Sequence, residues 1–137
     1  MTEFNNKTAI VTGATRGIGR AITESLLQKG CSVIGLYGAN HGEAKRFQDR
    51  WKDGQLQLHC CSVADHDQVK QLYNEIEARY DTLDILINNA GIRRDAIVAL
   101  MDPEQWQQVL DTNLSGTFNM SKYAIPLMMK QKYGRIV

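Results

Sequence analysis

Three glycines mark the places where this chain can come closest to a phosphate: Gly13, Gly17 and Gly19, in "TGATRGIG" from Thr12 to Gly19. The stretch follows a short β-branched run, "KTAIVTG", and precedes apolar residues at helical spacing. It therefore reads as a strand-to-helix turn. Gly13 permits a sharp turn off the strand. At Gly17 bare backbone can approach an anion, and Gly19 lets the helix pack close to the strand. Ala14, Thr15, Arg16 and Ile18 complete the loop, and free N–H groups at the start of the helix face an anion. The chemistry is the holding of a dinucleotide's pyrophosphate. A tight turn without a ligand would use glycine too. What favours binding is the position of this one in the first strand–helix–strand unit of an alternating chain.

A second group of residues addresses which dinucleotide. An acidic residue at the end of the second strand usually binds the ribose hydroxyls of NAD. Here Tyr37 holds that place, followed by Gly38, Ala39 and Asn40. No carboxylate repels a 2′-phosphate, and Arg16 offers a guanidinium that suits one. NADP (NADPH) is the expected cofactor; the other reading of Arg16 is a solvated loop residue. Further on, Trp106, Val109, Leu110, Asn113 and Thr117 follow helical spacing, which sets Asn113 on an apolar face. A buried amide without partners costs about 1–3 kcal/mol. Asn113 therefore belongs to a functional network, or bonds to backbone and shapes its helix.

The elements that must position these residues alternate. Strands are expected at Lys7 to Gly13, Cys31 to Tyr37, Gln55 to Val63 and Leu83 to Gly91, with "GRIV" opening a fifth. Helices are expected from Ile18 to about Lys29, where Ile18, Ala21, Ile22, Leu26 and Leu27 recur at helical spacing, and from about Gly42 to Lys52. Another begins at the cap Asp65 and carries Val69, Leu72, Tyr73 and Ile76. The last runs from Pro103, behind an Asp102–Gln105 capping box, to about Lys132. Strands apolar at nearly every position and long connections predict an α/β fold, a parallel sheet with helices on both faces.

The totals fit one domain over residues 1–137. Sixteen basic and fifteen acidic residues give a net charge of +1, and no basic stripe suggests nucleic acid. No apolar run approaches a membrane span, and the first residues lack a signal-peptide pattern. A cytoplasmic protein is expected. Cys31, Cys60 and Cys61 read as buried, reduced thiols. "HCC", His59 to Cys61, does not read as a metal site, because adjacent strand residues point to opposite faces.

"TGATRGIG", "NNAG" (Asn88 to Gly91) and "DTNLSG" (Asp111 to Gly116) together resemble the short-chain dehydrogenase/reductases. "NAGIRRD" and "MMKQKYGRIV" resemble the 3-oxoacyl-carrier-protein reductases within that family. The resemblance implies a Rossmann-like fold and reduction of a 3-oxoacyl thioester by NADPH. Other alcohols or ketones, or cofactor binding without turnover, are the alternatives. It places Asn89, Ala90 and Gly91 near the ribose and nicotinamide, and Ser62 and Val63 at the adenine, where the family often carries an acidic residue or its amide in place of Ser62. It gives Asn113 a water that feeds a catalytic lysine. It also implies a homo-oligomer built partly on the Pro103–Lys132 helix, with Phe118, Ile125, Met128 and Met129 on the apolar face. Lys130 and Lys132 are candidates to meet an acidic carrier protein, or are cations opposing the helix dipole. The family's serine, and its tyrosine and lysine four residues apart, follow the fifth strand. They are expected beyond Val137, so the 137 residues read as the cofactor-binding portion, truncated at the start of that strand.

Overall fold

The computed structural model describes residues 3–52 and 54–137; Met1, Thr2 and Asp53 lie outside the described residues. Five parallel strands form one sheet in the order β3-β2-β1-β4-β5. They are β1 Thr8–Thr12, β2 Ser32–Tyr37, β3 Leu56–Cys60, β4 Ile85–Ile87 and β5 Arg135–Ile136. The helices are α1 Gly17–Gln28, α2 His41–Gln48, α3 His66–Arg79, α4 Pro103–Leu110 and α5 Gly116–Gln131. This is the α/β, Rossmann-like arrangement expected of the alternation. Strand order reverses between β1 and β4, and ligands of such sheets bind at that reversal, off the carboxyl ends of the strands.

The period-two pattern of β1 divides the core. Ala9 and Val11 pack with Val33, Leu27 and Phe47 under α1 and α2. Ile10 turns to the opposite face and packs with Ile34, Leu86, Val69, Tyr73 and Met120 under α3 and α5. Helices therefore cover both faces. Val69, Leu72, Tyr73 and Ile76 are all buried, as their spacing predicts. Asp65 caps α3, its Oδ1 accepting the N–H groups of Asp67 and Gln68 at 3.0 and 3.1 Å.

Several boundaries differ from expectation. β3 ends at Cys60 and β4 at Ile87, so Ser62, Val63 and Asn88 to Gly91 all lie in loops. α2 stops at Gln48, four residues early. In α1 the buried stripe is Gly19, Thr23, Leu26 and Leu27. Ile18 and Ala21 face solvent instead, Ile18 on the rim of the glycine loop. The expected long helix is divided: α4 buries no residue, and a π turn at Asp111–Ser115 separates it from α5. On α5, Met128 is buried while Phe118, Ile125 and Met129 are exposed. Met128 packs closely on Gly134, which removes it from the open face. Burial pushes the Cys31 thiol up to about 12 and the Cys61 thiol to about 11. Cys60, also expected to be buried, is exposed, its Sγ donating to the Gly38 carbonyl at 3.0 Å.

Two further side chains secure the sheet. Asp84 is buried between the starts of β1 and β4, accepting the Thr8 N–H at 2.9 Å and pairing with Lys7 Nζ at 3.1 Å. At the β3 edge, Gln48 Oε1 accepts the Leu58 N–H at 2.8 Å. Among the described residues no helix is long and apolar enough to cross a membrane, and no cluster of three or more His, Cys, Asp or Glu residues could hold a metal ion.

Candidate functional site

The glycine loop sits at the strand-order reversal, between the end of β1 and the start of α1. Gly13 and Gly17 both adopt the left-handed region, with φ of +63 and +55. A side chain at either would be strained. Space around Gly17 is open, with nothing within 4 Å of where a Cβ would stand. Arg16 is the extended N-cap of α1; it makes no side-chain cap, and the first turn carries no acid. The N–H groups of that turn have no intrahelical acceptors. Bare backbone, open space at Gly17 and an uncapped helix start fit a pyrophosphate. The donor set contains no carboxylate that would oppose one.

Beneath this shelf the loop is held from both sides. Ala14 and Thr15 are buried, and the Ala14 N–H donates to the Leu36 carbonyl of β2 at 2.9 Å. From the loop after β4, Asn89 Nδ2 donates to the carbonyls of Thr12 and Gly13 at 3.0 and 3.2 Å. Thr12 Oγ1 accepts the N–H groups of Asn89 and Ala90 at 2.9 and 2.8 Å. The Asn89 amide is thus committed to the glycine loop. Thr12 escaped the sequence reading; its place as the last residue of β1, just before the turn, is the one sign it gave.

Asn113 departs from the helical-face expectation. It is exposed, within the π turn. Its amide bonds to Ile92 in both directions, Oδ1 accepting the N–H at 2.8 Å and Nδ2 donating to the carbonyl at 2.9 Å. A Cβ on Gly91 would lie 3.4 Å from Asn113 Oδ1. Asn113 therefore joins the Asn89–Gly91 segment, and through Asn89 the glycine loop. The buried asparagine of this region is Asn119, whose Nδ2 donates to the Val63 carbonyl at 2.9 Å. Val63 is itself buried against Gly116, where a Cβ would meet its Cγ2 at 2.6 Å. Ser62 is exposed, its N–H held by Gln68 Oε1 at 3.0 Å.

At the end of β2, Tyr37 is half-buried and Gly38 exposed. Tyr37 Oη and His41 Nδ1 share a hydrogen bond of 2.9 Å. His41, the first residue of α2, was not among the residues singled out from sequence. The candidate residues other than Asn113 thus lie in loops, at strand ends or in the first turn of α1, off the carboxyl edge of β1 to β4. Asn113 reaches that edge through Ile92.

The family model for short chain dehydrogenase matches residues 7–137. The chain belongs to the short-chain dehydrogenase family. It is 40% identical over 135 residues to 3-oxoacyl-[acyl-carrier-protein] reductase FabG of Escherichia coli (strain K12), covering 98% of this chain and 54% of that protein. It is likewise 40% identical over 131 residues to acetoacetyl-CoA reductase of Paracoccus denitrificans, covering 96% of this chain and 53% of the relative. The corresponding FabG of Staphylococcus aureus (strain Mu50 / ATCC 700699) is 38% identical over 133 residues. The chain spans about half the length of these curated relatives. Membership of the short-chain dehydrogenases implies a nicotinamide cofactor.

Proposed function

We propose that residues 1–137 form the cofactor-binding domain of an NADPH-dependent oxidoreductase that reduces 3-oxoacyl thioesters to their 3-hydroxyacyl forms. One observation carries this reading: an uncapped, acid-free glycine turn at the strand-order reversal, bonded by Asn89 from the loop after β4. In it, the first-turn N–H groups of α1 hold the pyrophosphate and Arg16 meets the 2′-phosphate. Ser62 and Val63 lie along the adenine, and Asn89 to Gly91 line the ribose and nicotinamide. Bound NADPH supplies the hydride. Asn113 fixes the backbone at Ile92, and its place beside Gly91 supports a water-holding role in the proton relay. The names of the relatives support a thioester substrate on acyl-carrier protein or coenzyme A. A soluble, cytoplasmic homo-oligomer is part of the same reading.

The test is a fluorescence titration of this chain with NADPH and with NADH. Saturable binding of NADPH at least tenfold tighter than NADH is expected. No consumption of NADPH is expected when acetoacetyl-CoA is added, because no tyrosine of residues 1–137 has a lysine four positions on, the pair that the family's reduction uses. Absence of saturable binding, or a preference for NADH, would overturn the proposal.

A further inference from the structure

The end of β2 carries a pair that the glycine loop does not explain. Tyr37 and His41 meet edge-on, with ring centroids 5.6 Å apart and planes at 84°, around the 2.9 Å bond between Oη and Nδ1. Both ends of the pair rest on secondary structure, Tyr37 as the last residue of β2 and His41 as the first of α2. The ring is therefore oriented rather than free, and His41 is exposed, with Nε2 as its remaining polar atom. The neighbouring polar side chain has other work, since Asn40 Oδ1 accepts the Glu43 N–H at 3.0 Å to cap α2. Gly38 and Ala39 bring no polar side chain. Glu43 is the acid of that first turn, while Lys45 pairs with Asp49 at 3.5 Å. Arg46 Nη1 lies 3.6 Å from the Cβ position of Gly42.

Resting on the nucleotide reading above, we propose that His41 is the specificity-determining residue for the ribose 2′ substituent, with Tyr37 as the residue that positions it. The end of β2 is where such sheets read the ribose. The shared bond at Nδ1 governs what Nε2 offers. When Tyr37 donates to Nδ1, Nε2 carries the proton and donates outward. In the imidazolium both nitrogens donate, Nδ1 to the phenol oxygen and Nε2 outward. A 2′-phosphate presents acceptor oxygens and selects these forms; a 2′-hydroxyl, donor and acceptor both, is served by either tautomer. His41 thereby favours the phosphorylated ribose without a second arginine after β2.

The experiment uses 2′,5′-ADP and 5′-ADP as probes, titrated calorimetrically into the wild-type chain, His41→Ala and Tyr37→Phe. The exposed position of His41 leaves its variant folded, checked by an unchanged circular dichroism spectrum. Expected is a loss of about tenfold in 2′,5′-ADP affinity for His41→Ala, as for a hydrogen bond to a charged group, with 5′-ADP affinity unchanged. Tyr37→Phe should give a smaller loss in the same direction. Equal losses for both probes, or no loss for either, would overturn the assignment and leave Arg16 as the reader of the phosphate. A wild-type chain that binds neither probe would overturn the nucleotide reading itself and this proposal with it.

Discussion

Gly19→Ala sets two effects of opposite sign against each other. Gly19 lies within α1, where alanine is the better helix former by about 1 kcal/mol. Against that, a Cβ at this position would stand 2.8 Å from the Gly13 carbonyl carbon, and would crowd the Gly13 oxygen and the Asn89 amide nitrogen still more. Carbon atoms ordinarily meet at about 3.5–4.0 Å, so the helix and the turn must part by at least roughly 0.7 Å. What has to move is main chain pinned by the two Asn89 hydrogen bonds, not the far end of a flexible side chain. Overpacking costs roughly 1–3 kcal/mol, and loss of one Asn89 bond about 1 kcal/mol more. The net is a destabilisation of about 1–3 kcal/mol, read as a fall in Tm of roughly 4–10 °C. Thermal unfolding by circular dichroism measures it, with an NADPH titration of the same sample. The titration should show at least a tenfold loss, since in the proposed function the displaced turn holds the pyrophosphate. Gly17→Ala is the comparison, because its Cβ meets nothing within 4 Å and only its φ of +55 resists the change. A Gly19→Ala chain as stable as wild type, with NADPH affinity intact, would refute the packing argument.

Thr12→Val keeps shape but removes the hydroxyl that accepts the Asn89 and Ala90 N–H groups. It should cost about 2–4 kcal/mol in urea unfolding, whereas Thr12→Ser should cost less than half as much. His59 concerns pH. Burial, the largest influence, holds its imidazole below the ordinary 6.5, with Glu75 opposing and Arg79 reinforcing. The unfolded chain binds more protons in the window beneath that value, so stability declines as pH falls from about 6.5 through the folded pKa. The difference in Tm between wild type and His59→Gln, followed across that range, should show the variant losing less.

The order and type of the elements were legible because each obeys a local rule: β-branched runs, helical spacing over α3, a side-chain cap at Asp65, glycines after β1. Asn113 was misread for a specific reason. Projecting it from Trp106 assumes an unbroken α-helix, but the π turn at Asp111–Ser115 adds a residue to one turn. Moreover α4 buries nothing, so the apolar residues that defined the face do not mark the core. Sequence patterning reports hydrophobicity, and an exposed helix such as α4 can carry a tryptophan, Trp106, without burying it. Thr12, Asn119 and Asp84 were illegible for another reason. Each acts through a backbone group 56 to 78 positions away, and no local spacing encodes such a partner. His41 belongs with them in part, since its bond to Tyr37 is only four residues distant but spans the junction of a strand and a helix.

The Gln48–Leu58 bond bears on how this sheet ends. An outer strand offers its outward N–H groups as a template on which another chain can lay a strand, the first step toward insoluble aggregates. On β3, at one outer margin of the sheet, the N–H at the middle of its five residues is already taken by a side chain. An incoming strand would have to displace that amide before it could continue the ladder. Gln48, the last residue of α2, thus acts as a stopper on sheet growth.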